Sequence, residues 1–420
     1  MLVQFTFKNY KSFRDEVTLD LSATKITEFP NQIITKGKEK LLPVSAIYGA
    51  NASGKSNVYQ AFEYMTYYVL ESFGFGGDGK QETSYRKTTP FAFDALARNN
   101  ESTFEVFFMD PNDDTFKVYN YGFCVNKEMV TEEWLNYKAK TSKEYRSIFY
   151  RNEDELELDG IPSKWRKNIE VSLEKEALVV SLGAKLKIDK LKFVRDWFLN
   201  NEIVDFGDPI ETYFRSKMLP KNFEKDKKIQ QDVLDYIATF DDSIKEFDVE
   251  KVKVEFDEED DETYLIKAYH NMVNSDEKAH ISLSDESAGT LKMFSLYPVL
   301  QEVLKKGSVL FVDELNAKVH PLLVRNFILT FLNPELNPKN AQLIFTTHDT
   351  WQLSNDLLRR DEIWFTDKNK DGISNLYSLS DFKNEDGAKI RKDESFEKNY
   401  LLGKYGAIPN LKNMKILKEE

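Results

Sequence analysis

Cysteine is almost absent: a single residue, Cys124, in 420. This excludes an internal disulfide framework and any multi-cysteine zinc site. Histidine is also scarce, and four residues leave little room for a histidine-rich metal centre. The 12 prolines and 17 glycines exclude collagen-like and low-complexity chains. No stretch approaches the roughly 18–20 uncharged apolar residues that a membrane span requires. The start, Met1 to Lys8, alternates as a strand does and lacks the charged region and apolar core of a signal peptide, so a cytoplasmic protein without membrane attachment is expected. An excess of positive charge is missing as well, since 58 Lys+Arg face 71 Asp+Glu for a net of −13. Any DNA or RNA contact must then come through a partner or a local patch. Internal repeats of the solenoid kind are not found.

What remains is an ordinary soluble composition, 41% hydrophobic and 31% charged, with 31 Phe and 20 Tyr to supply an aromatic-rich core. The first 48 residues read as strands and hairpins, and Val44 to Tyr48 as a short buried strand. Helical spacing follows over Asn57–Leu70 (Val58, Phe62, Met65, Val69), then a glycine-clustered loop over 72–90. Strand patterns return over Thr103–Phe108, Val118–Phe123 and Met129–Trp134. Residues 163–245 are charged and mostly helical in period, without sustained heptads. Strands from Glu250 to Tyr269 are broken by an acidic run, Asp257–Glu262, that reads as a solvated hairpin tip. After Ser287, helix and strand alternate: Thr290–Lys305, Ser308–Val312, Pro321–Leu332 and Gln342–Thr346. The chain therefore reads as one α/β domain split by an insertion. Its N-terminal half is 1–140, the mainly helical insertion with an acidic strand hairpin is 141–280, and the C-terminal half is 281–420.

Gly49 to Ser56 matches the pattern Gly, four residues, Gly-Lys-Ser, between a predicted strand and a predicted helix. By chance such a pattern arises in roughly one or two chains per hundred of this length, and its strand–helix context makes coincidence rarer. Glycines let the loop wrap close to phosphate, while backbone N–H groups and the helix N-terminus supply positive potential. Lys55 would reach the β- and γ-phosphates of a nucleotide, and the Ser56 hydroxyl would ligate Mg²⁺. Val309 to Glu314 is an apolar strand ending in two acids: Asp313 would hold Mg²⁺ and Glu314 would act as general base toward water. Alone such a run reads as a strand entering a polar turn; beside the loop it indicates a nucleotide hydrolase. Gln342 to Thr347 is another buried strand, and it leads into His348, placed to sense a γ-phosphate. Ser287-Ala288-Gly289 opens the helix before the Asp-Glu strand. Its bland reading is an N-cap serine; its functional one is a second anion site serving a nucleotide on another subunit, because Lys55 already supplies the contacts within the chain.

The order of phosphate loop, Ser-x-Gly segment, Asp-Glu strand and Thr-His strand resembles the ATP-binding-cassette ATPases of the soluble branch that includes the SMC, RecF and OLD proteins. Within that branch it resembles the AAA ATPases of abortive-infection and phage-defence operons, of the AbiL and PtuA types. Asn9-Tyr10-Lys11-Ser12-Phe13, Asp313-Glu314 with His320-Pro321, and the closing Leu401–Pro409 carry this likeness further. The resemblance covers roughly 1–140 and 280–410. It implies an ABC-type P-loop NTPase head with a mixed sheet, carrying an inserted helical lobe. It implies ATP and Mg²⁺ as cofactors, with nucleotide bound by Gly49, Asn51, Ala52, Ser53, Gly54, Lys55, Ser56 and Asn57. It also implies a head-to-tail homodimer, or a higher homo-oligomer, in which Ser287 and Gly289 act in trans. The segment here is Ser-Ala-Gly-Thr rather than Ser-Gly-Gly-Gln, and Asn316 stands where Asp is frequent, so slow or conditional turnover is expected. The glutamine that usually contacts Mg²⁺ has no obvious counterpart; the region from Pro90 to Phe93 is the place it would fall.

Three functions compete. The first is an ATPase that gates a separate effector, a nuclease or toxin, in anti-phage defence; the chain has no His-Asn-His pattern, and the stretch after His348 is too short for a Toprim nuclease. The second is a DNA-repair or chromosome-maintenance ATPase of the RecF or SMC-head type. Lys164, Lys167, Lys185, Lys187, Lys190, Lys192, Lys221, Lys225, Lys227 and Lys228 could form a basic strip for it, although interspersed acids favour a solvated helix face. The third is a scaffold that binds ATP without turnover. Asp367 to Gly372 matches half of a calcium loop, but Ser378 stands where the bidentate Glu is needed, so a hairpin turn is the better reading.

Overall fold

Along the chain run β1 (Leu2–Lys8), β2 (Val17–Asp20), β3 (Ile34–Lys36), β4 (Glu39–Leu41) and β5 (Val44–Gly49), then helix α1 (Lys55–Glu71). Strands β6 (Ser102–Phe108), β7 (Val118–Val125), β8 (Val130–Lys138), β9 (Arg146–Arg151) and β10 (Leu156–Glu157) follow. Next come α2 (Ser163–Ser172), α3 (Val179–Lys185), α4 (Asp189–Leu199), β11 (Glu202–Asp205), α5 (Pro209–Ser216) and α6 (Lys227–Ala238). Then follow β12 (Ile244–Val252), β13 (Thr263–Asn271), β14 (Lys278–Ser282), α7 (Ala288–Lys306), β15 (Val309–Asp313) and α8 (Pro321–Leu332). The chain closes with β16 (Gln342–Thr346), β17 (Ile363–Lys368), β18 (Ser374–Ser378) and α9 (Phe396–Leu401). This computed structural model describes residues 1–75, 87–216, 218–252, 263–383, 387 and 389–409. The acidic run 257–262 and most of the glycine-clustered loop lie outside the described residues.

Two large sheets enclose α1. One is parallel in the order β11-β15-β16-β5-β17, with β18 added antiparallel at its edge. The other is antiparallel, in the order β10-β9-β8-β7-β6-β1-β2. Every residue of β5, β15 and β16 is buried, as expected of strands covered on both faces, which read as continuous apolar runs. Alternate residues separate cleanly. Ile47, Val309, Phe311 and Ile344 face the core around α1. Val44, Ala46, Leu310, Val312, Leu343 and Phe345 face α8 and the C-terminal segment. Helix α1 is buried on several sides because it fills the space between the sheets: the Phe62 ring lies 5.3 Å from Phe5 and 5.7 Å from Phe311.

Residues 141–280 divide among three places. Strands β9 and β10 extend the antiparallel sheet, and α2–α4 contribute Ile169, Val179, Leu191, Trp197 and others to the same core as α1. The buried Glu133 carboxylate ties α3 to that sheet, accepting from the N–H of Val179 (2.7 Å) and of Val180 (3.2 Å) and from the Tyr121 hydroxyl (3.0 Å). Strand β11 enters the parallel sheet beside β15. Periodicity passes over it because four residues are too few to show a pattern. Only β12–β14, packed on α6 and the start of α7, build a separate core around Phe223, Phe247 and Phe294. Among the described residues no helix is long and apolar enough to cross a membrane.

Because Phe62 bridges the two sheets, Phe62→Ala should cost about 3–5 kcal/mol. Urea unfolding measures it; a loss below about 1 kcal/mol would mean that α1 is not the shared core element.

Candidate functional site

The carboxyl ends of adjacent parallel strands carry the chemistry-bearing residues side by side, where open α/β sheets bind ligands. Strand β5 ends in the loop Gly49–Ser56, β15 in Asp313, β16 leads to His348, and β17 ends at Lys368. A cleft of about 790 Å³ opens over them, lined by Asn51, Ala52, Gly54, Lys55, Ser56, Asn57, Glu314, His348 and Lys368. Gly49 and Ser53 are buried and do not line it.

The loop is held from three sides. Gly54 sits at φ 120°, and a Cβ there would meet Ser374 Oγ at 2.8 Å. At Gly49 a Cβ would meet Ser53 Oγ and Thr366 O at 2.5 Å. Ser53 Oγ bonds Thr366 Oγ1 of β17 at 2.6 Å, and Ser374 of β18 donates to Ser53 O at 2.7 Å. The N-terminal segment closes the third side. Ser12 Oγ accepts from Asn57 Nδ2 and shares a hydrogen bond with Ser374 Oγ, both at 2.7 Å. Asn9 and Lys11, at φ 52° and 50°, shape that segment, and Asn9 pins it through Phe91 N and the carbonyls of Ala97 and Glu101. The Asn9–Phe13 block is therefore a brace for the loop. Helix α1 starts with no side-chain cap and no acid in its first turn, which leaves its N-terminus suited to an anion.

Lys55 is buried at 6% exposure and folds back over the loop, donating from Nζ to Gly49 O (2.8 Å) and Ala50 O (3.1 Å). Burial lowers its pKa to about 8, with Asp313 and Glu314 opposing the shift. Asp313 is buried, and desolvation raises its pKa against hydrogen bonds from Thr346 and Ser56. Thr346 Oγ1 serves both acids: it donates to Asp313 Oδ1 and accepts from the Glu314 N–H at 2.9 Å. Glu314 stands at φ 53°, a left-handed conformation costing about 1–2 kcal/mol for a non-glycine residue, and it points into the cleft. Its Oε1 lies 3.9 Å from His348 Nε2. Burial and then Lys55 lower the His348 pKa, while Glu314 opposes, which favours the neutral imidazole. Asn316 fixes the switch turn, its Oδ1 accepting from Thr347 Oγ1 (2.8 Å) and the His348 N–H (3.2 Å).

The donor set suits a nucleotide-bound divalent cation. Ser56 and Asp313 present hard oxygens to each other, yet no cluster of three His, Cys, Asp or Glu among the described residues could hold a metal. Phosphate oxygens would have to complete the coordination, as is usual for Mg²⁺.

Ser287 and Gly289 do not line this cleft. Ser287 caps α7, accepting from the Thr290 N–H at 3.1 Å. A Cβ on Gly289 would come no closer than 3.5 Å to any other atom, so nothing inside the chain requires glycine there. The region beginning at Pro90–Phe93, where a metal-contacting glutamine would fall and none is obvious, does not line the cleft: Phe91 is buried with its N–H on Asn9 Oδ1 (3.1 Å), and Phe93 is exposed beside Gly372. The strand beside β15 is instead β11, in register Asp205↔Asp313. Asp205 is the acid there, accepting from Gly207 N at 2.7 Å, its pKa raised by burial and by Asp313. Asp367–Gly372 ends β17 and runs into the turn of the β17–β18 hairpin rather than forming a calcium loop. Sequence reasoning missed Asp205, Thr346, Ser374 and Lys368; only Thr346, inside the Thr-Thr-His run, carried a signal.

Gly54→Ala should reduce nucleotide affinity at least 100-fold while the protein still folds, because both its φ and its space forbid a Cβ. Calorimetric titration with ATP checks this; a variant binding within threefold of wild type would show that the loop geometry is not required.

A family model described as "AAA domain, putative AbiEii toxin, Type IV TA system" matches residues 44–350. No curated protein matches the chain. Among solved structures it is similar to an SMC head bound to the C-winged helix domain of ScpA, with 15% identity and a TM-score of 0.47, covering 90% of this chain and 97% of that one. The matched span runs from the first residue of β5 through the switch turn after β16 and takes in more than two thirds of the chain. The fold is that of a P-loop NTPase, and the chain belongs to the AAA-domain family of putative AbiEii toxins of type IV toxin–antitoxin systems.

Proposed function

We propose that this protein is a cytoplasmic ABC-type ATPase that binds ATP with Mg²⁺, closes as an ATP-sandwiched homodimer, and gates a separate effector, a nuclease or toxin, in anti-phage defence. The observation that carries the ATPase reading is the row of strand ends that sets Lys55, Ser56, Glu314 and His348 around one cleft, with buried Asp313 beside Ser56 and Thr346 bonded to both acids. Gly49, Asn51, Ala52, Ser53, Gly54 and Asn57 complete the phosphate cradle. Bound Mg²⁺, held by Ser56 and Asp313, would neutralise charge on the phosphates. Glu314 takes the proton of a water whose oxygen forms the new bond to the γ-phosphorus as the bond to the ADP oxygen breaks. Neutral His348 offers a hydrogen bond near the γ-phosphate without competing with Lys55 for charge. Ser287 and Gly289 serve the partner's nucleotide, and the room left at Gly289 supports that assignment. The family's description names a two-protein toxin–antitoxin system, and it is that pairing, not the toxin label, that supports a role beside a second protein.

The rival that grips DNA directly needs a continuous basic strip. Lys185, Lys190 and Lys192 belong to the region packed on the antiparallel sheet, whereas Lys221, Lys225, Lys227 and Lys228 lie with the separate core near Phe223. Several are occupied locally: Lys192 pairs with Asp196, Lys190 donates to Gly160 O, and Lys185 lies over the Phe73 ring.

Lys55→Ala should abolish nucleotide binding, and Glu314→Gln should bind ATP, stop turnover and elute as a dimer on size exclusion with ATP and Mg²⁺. A Glu314→Gln protein hydrolysing at the wild-type rate would remove the assigned base. Purified from its host with ATP, Glu314→Gln should carry a nuclease or toxin; nucleic acid alone in that position, with DNA-stimulated turnover falling steeply with salt, would favour the DNA rival.

A further inference from the structure

Lys368 is the last residue of β17 and lines the same cleft as Lys55, on the opposite flank from Glu314 and His348. Strand β17 runs parallel to β5 with Thr366 opposite Gly49, so Lys368 stands two residues past the level at which the phosphate loop begins. The strand order explains the flank: β15 and β16 deliver the acid and the histidine on one side of β5, and β17 delivers Lys368 on the other. The hairpin that carries it is fixed. Thr366 and Ser374 bond Ser53, and the Ser374 N–H donates to Ser12 O at 2.8 Å. In the turn, Asn369 Oδ1 accepts from the N–H groups of Asp371 (2.9 Å) and Ile373 (3.0 Å). Among the described residues no carboxylate lies within ion-pair distance of the Lys368 ammonium, so its charge is not spent within the chain.

We propose that Lys368 is a second cationic contact to the polyphosphate, meeting the α- and β-phosphates from the hairpin side while Lys55 serves the β- and γ-phosphates. The assignment rests on the cleft being the nucleotide site. Because the hairpin backbone is already braced, binding has to order only the lysine's own side chain and not the loop that carries it. Lys55 is the only cation of the cradle that the sequence pattern reveals; the second lies more than 300 residues away and arrives through sheet pairing alone.

Lys368→Ala and Lys368→Arg can be titrated beside wild type and Lys55→Ala with fluorescent ATP and ADP analogues, at about 0.05 and 0.5 M salt. The expected result is an affinity loss of about 5- to 10-fold for both nucleotides in Lys368→Ala at low salt. The loss should shrink at high salt, recover in Lys368→Arg, and leave the melting temperature unchanged, since the side chain is exposed. Affinity within twofold of wild type for both nucleotides, or a loss that salt leaves untouched, overturns the proposal. If Lys55→Ala also binds normally, the cleft is not the nucleotide site and the proposal falls with it. If Lys55→Ala is impaired and Lys368→Ala is not, only the Lys368 assignment fails.

Discussion

The parallel register of β15, β16, β5 and β17 is the constraint on which the site depends. Each strand delivers its functional residue at its carboxyl end, and the hydrogen-bond ladder keeps those ends level. A one-residue slip would send Phe311 or Phe345 to the opposite face and break two cores together. Burial of whole strands on both faces is thus what makes the geometry of part-exposed Glu314 and His348 reproducible. The local hydrogen bonds refine it: Thr346 is the pin between β16 and the two acids, and Asn316 does the same for the switch turn.

The phosphate loop carries the strain of the design. Gly54 and Ala52 both adopt positive φ, and Glu314 does so across the cleft. Such conformations persist when surroundings over-determine them. Here the surroundings are Ser12, Asn57, Thr366 and Ser374, drawn from both ends of the chain and from the hairpin. A further link ties the Ser287 helix to the acids. Buried Lys292 of α7 lies 3.8 Å from the centre of the Phe206 ring and donates to the carbonyls of Phe206 and Ala317, thereby joining α7, the end of β11 and the loop after Glu314. The helix that begins at Ser287 is thus linked through Lys292 to the loop that follows Glu314.

Much of this was legible in the chain itself. The loop, the Asp-Glu strand and the Thr-His strand are local patterns whose chemistry dictates residue type and spacing, and α8 and β16 appear with the boundaries that their apolar runs predict. What was illegible is whatever depends on pairing between distant segments. Asp205 lies in a four-residue strand with no period to detect, and Lys368 looks like any lysine before a hairpin turn. The metal-contacting glutamine could not be assigned from the sequence, and Pro90–Phe93, the place in the chain where it would fall, is held by Asn9 instead. Ser287 remains double-valued, because capping α7 and meeting a partner's phosphate require the same hydroxyl at the same helix end.

The proposed composite site takes Lys55 from one chain and Ser287 from its partner. Active-site complementation tests it directly: Lys55→Ala and Ser287→Arg proteins are assayed for ATP hydrolysis alone and after mixing. Each alone should be inactive, because every site carries one lesion. Random pairing makes half the dimers mixed, each with one intact site, so mixing should restore about a quarter of wild-type turnover. If folded Ser287→Arg protein hydrolyses ATP normally on its own, or if mixing restores nothing although mixed dimers form, the composite site is contradicted.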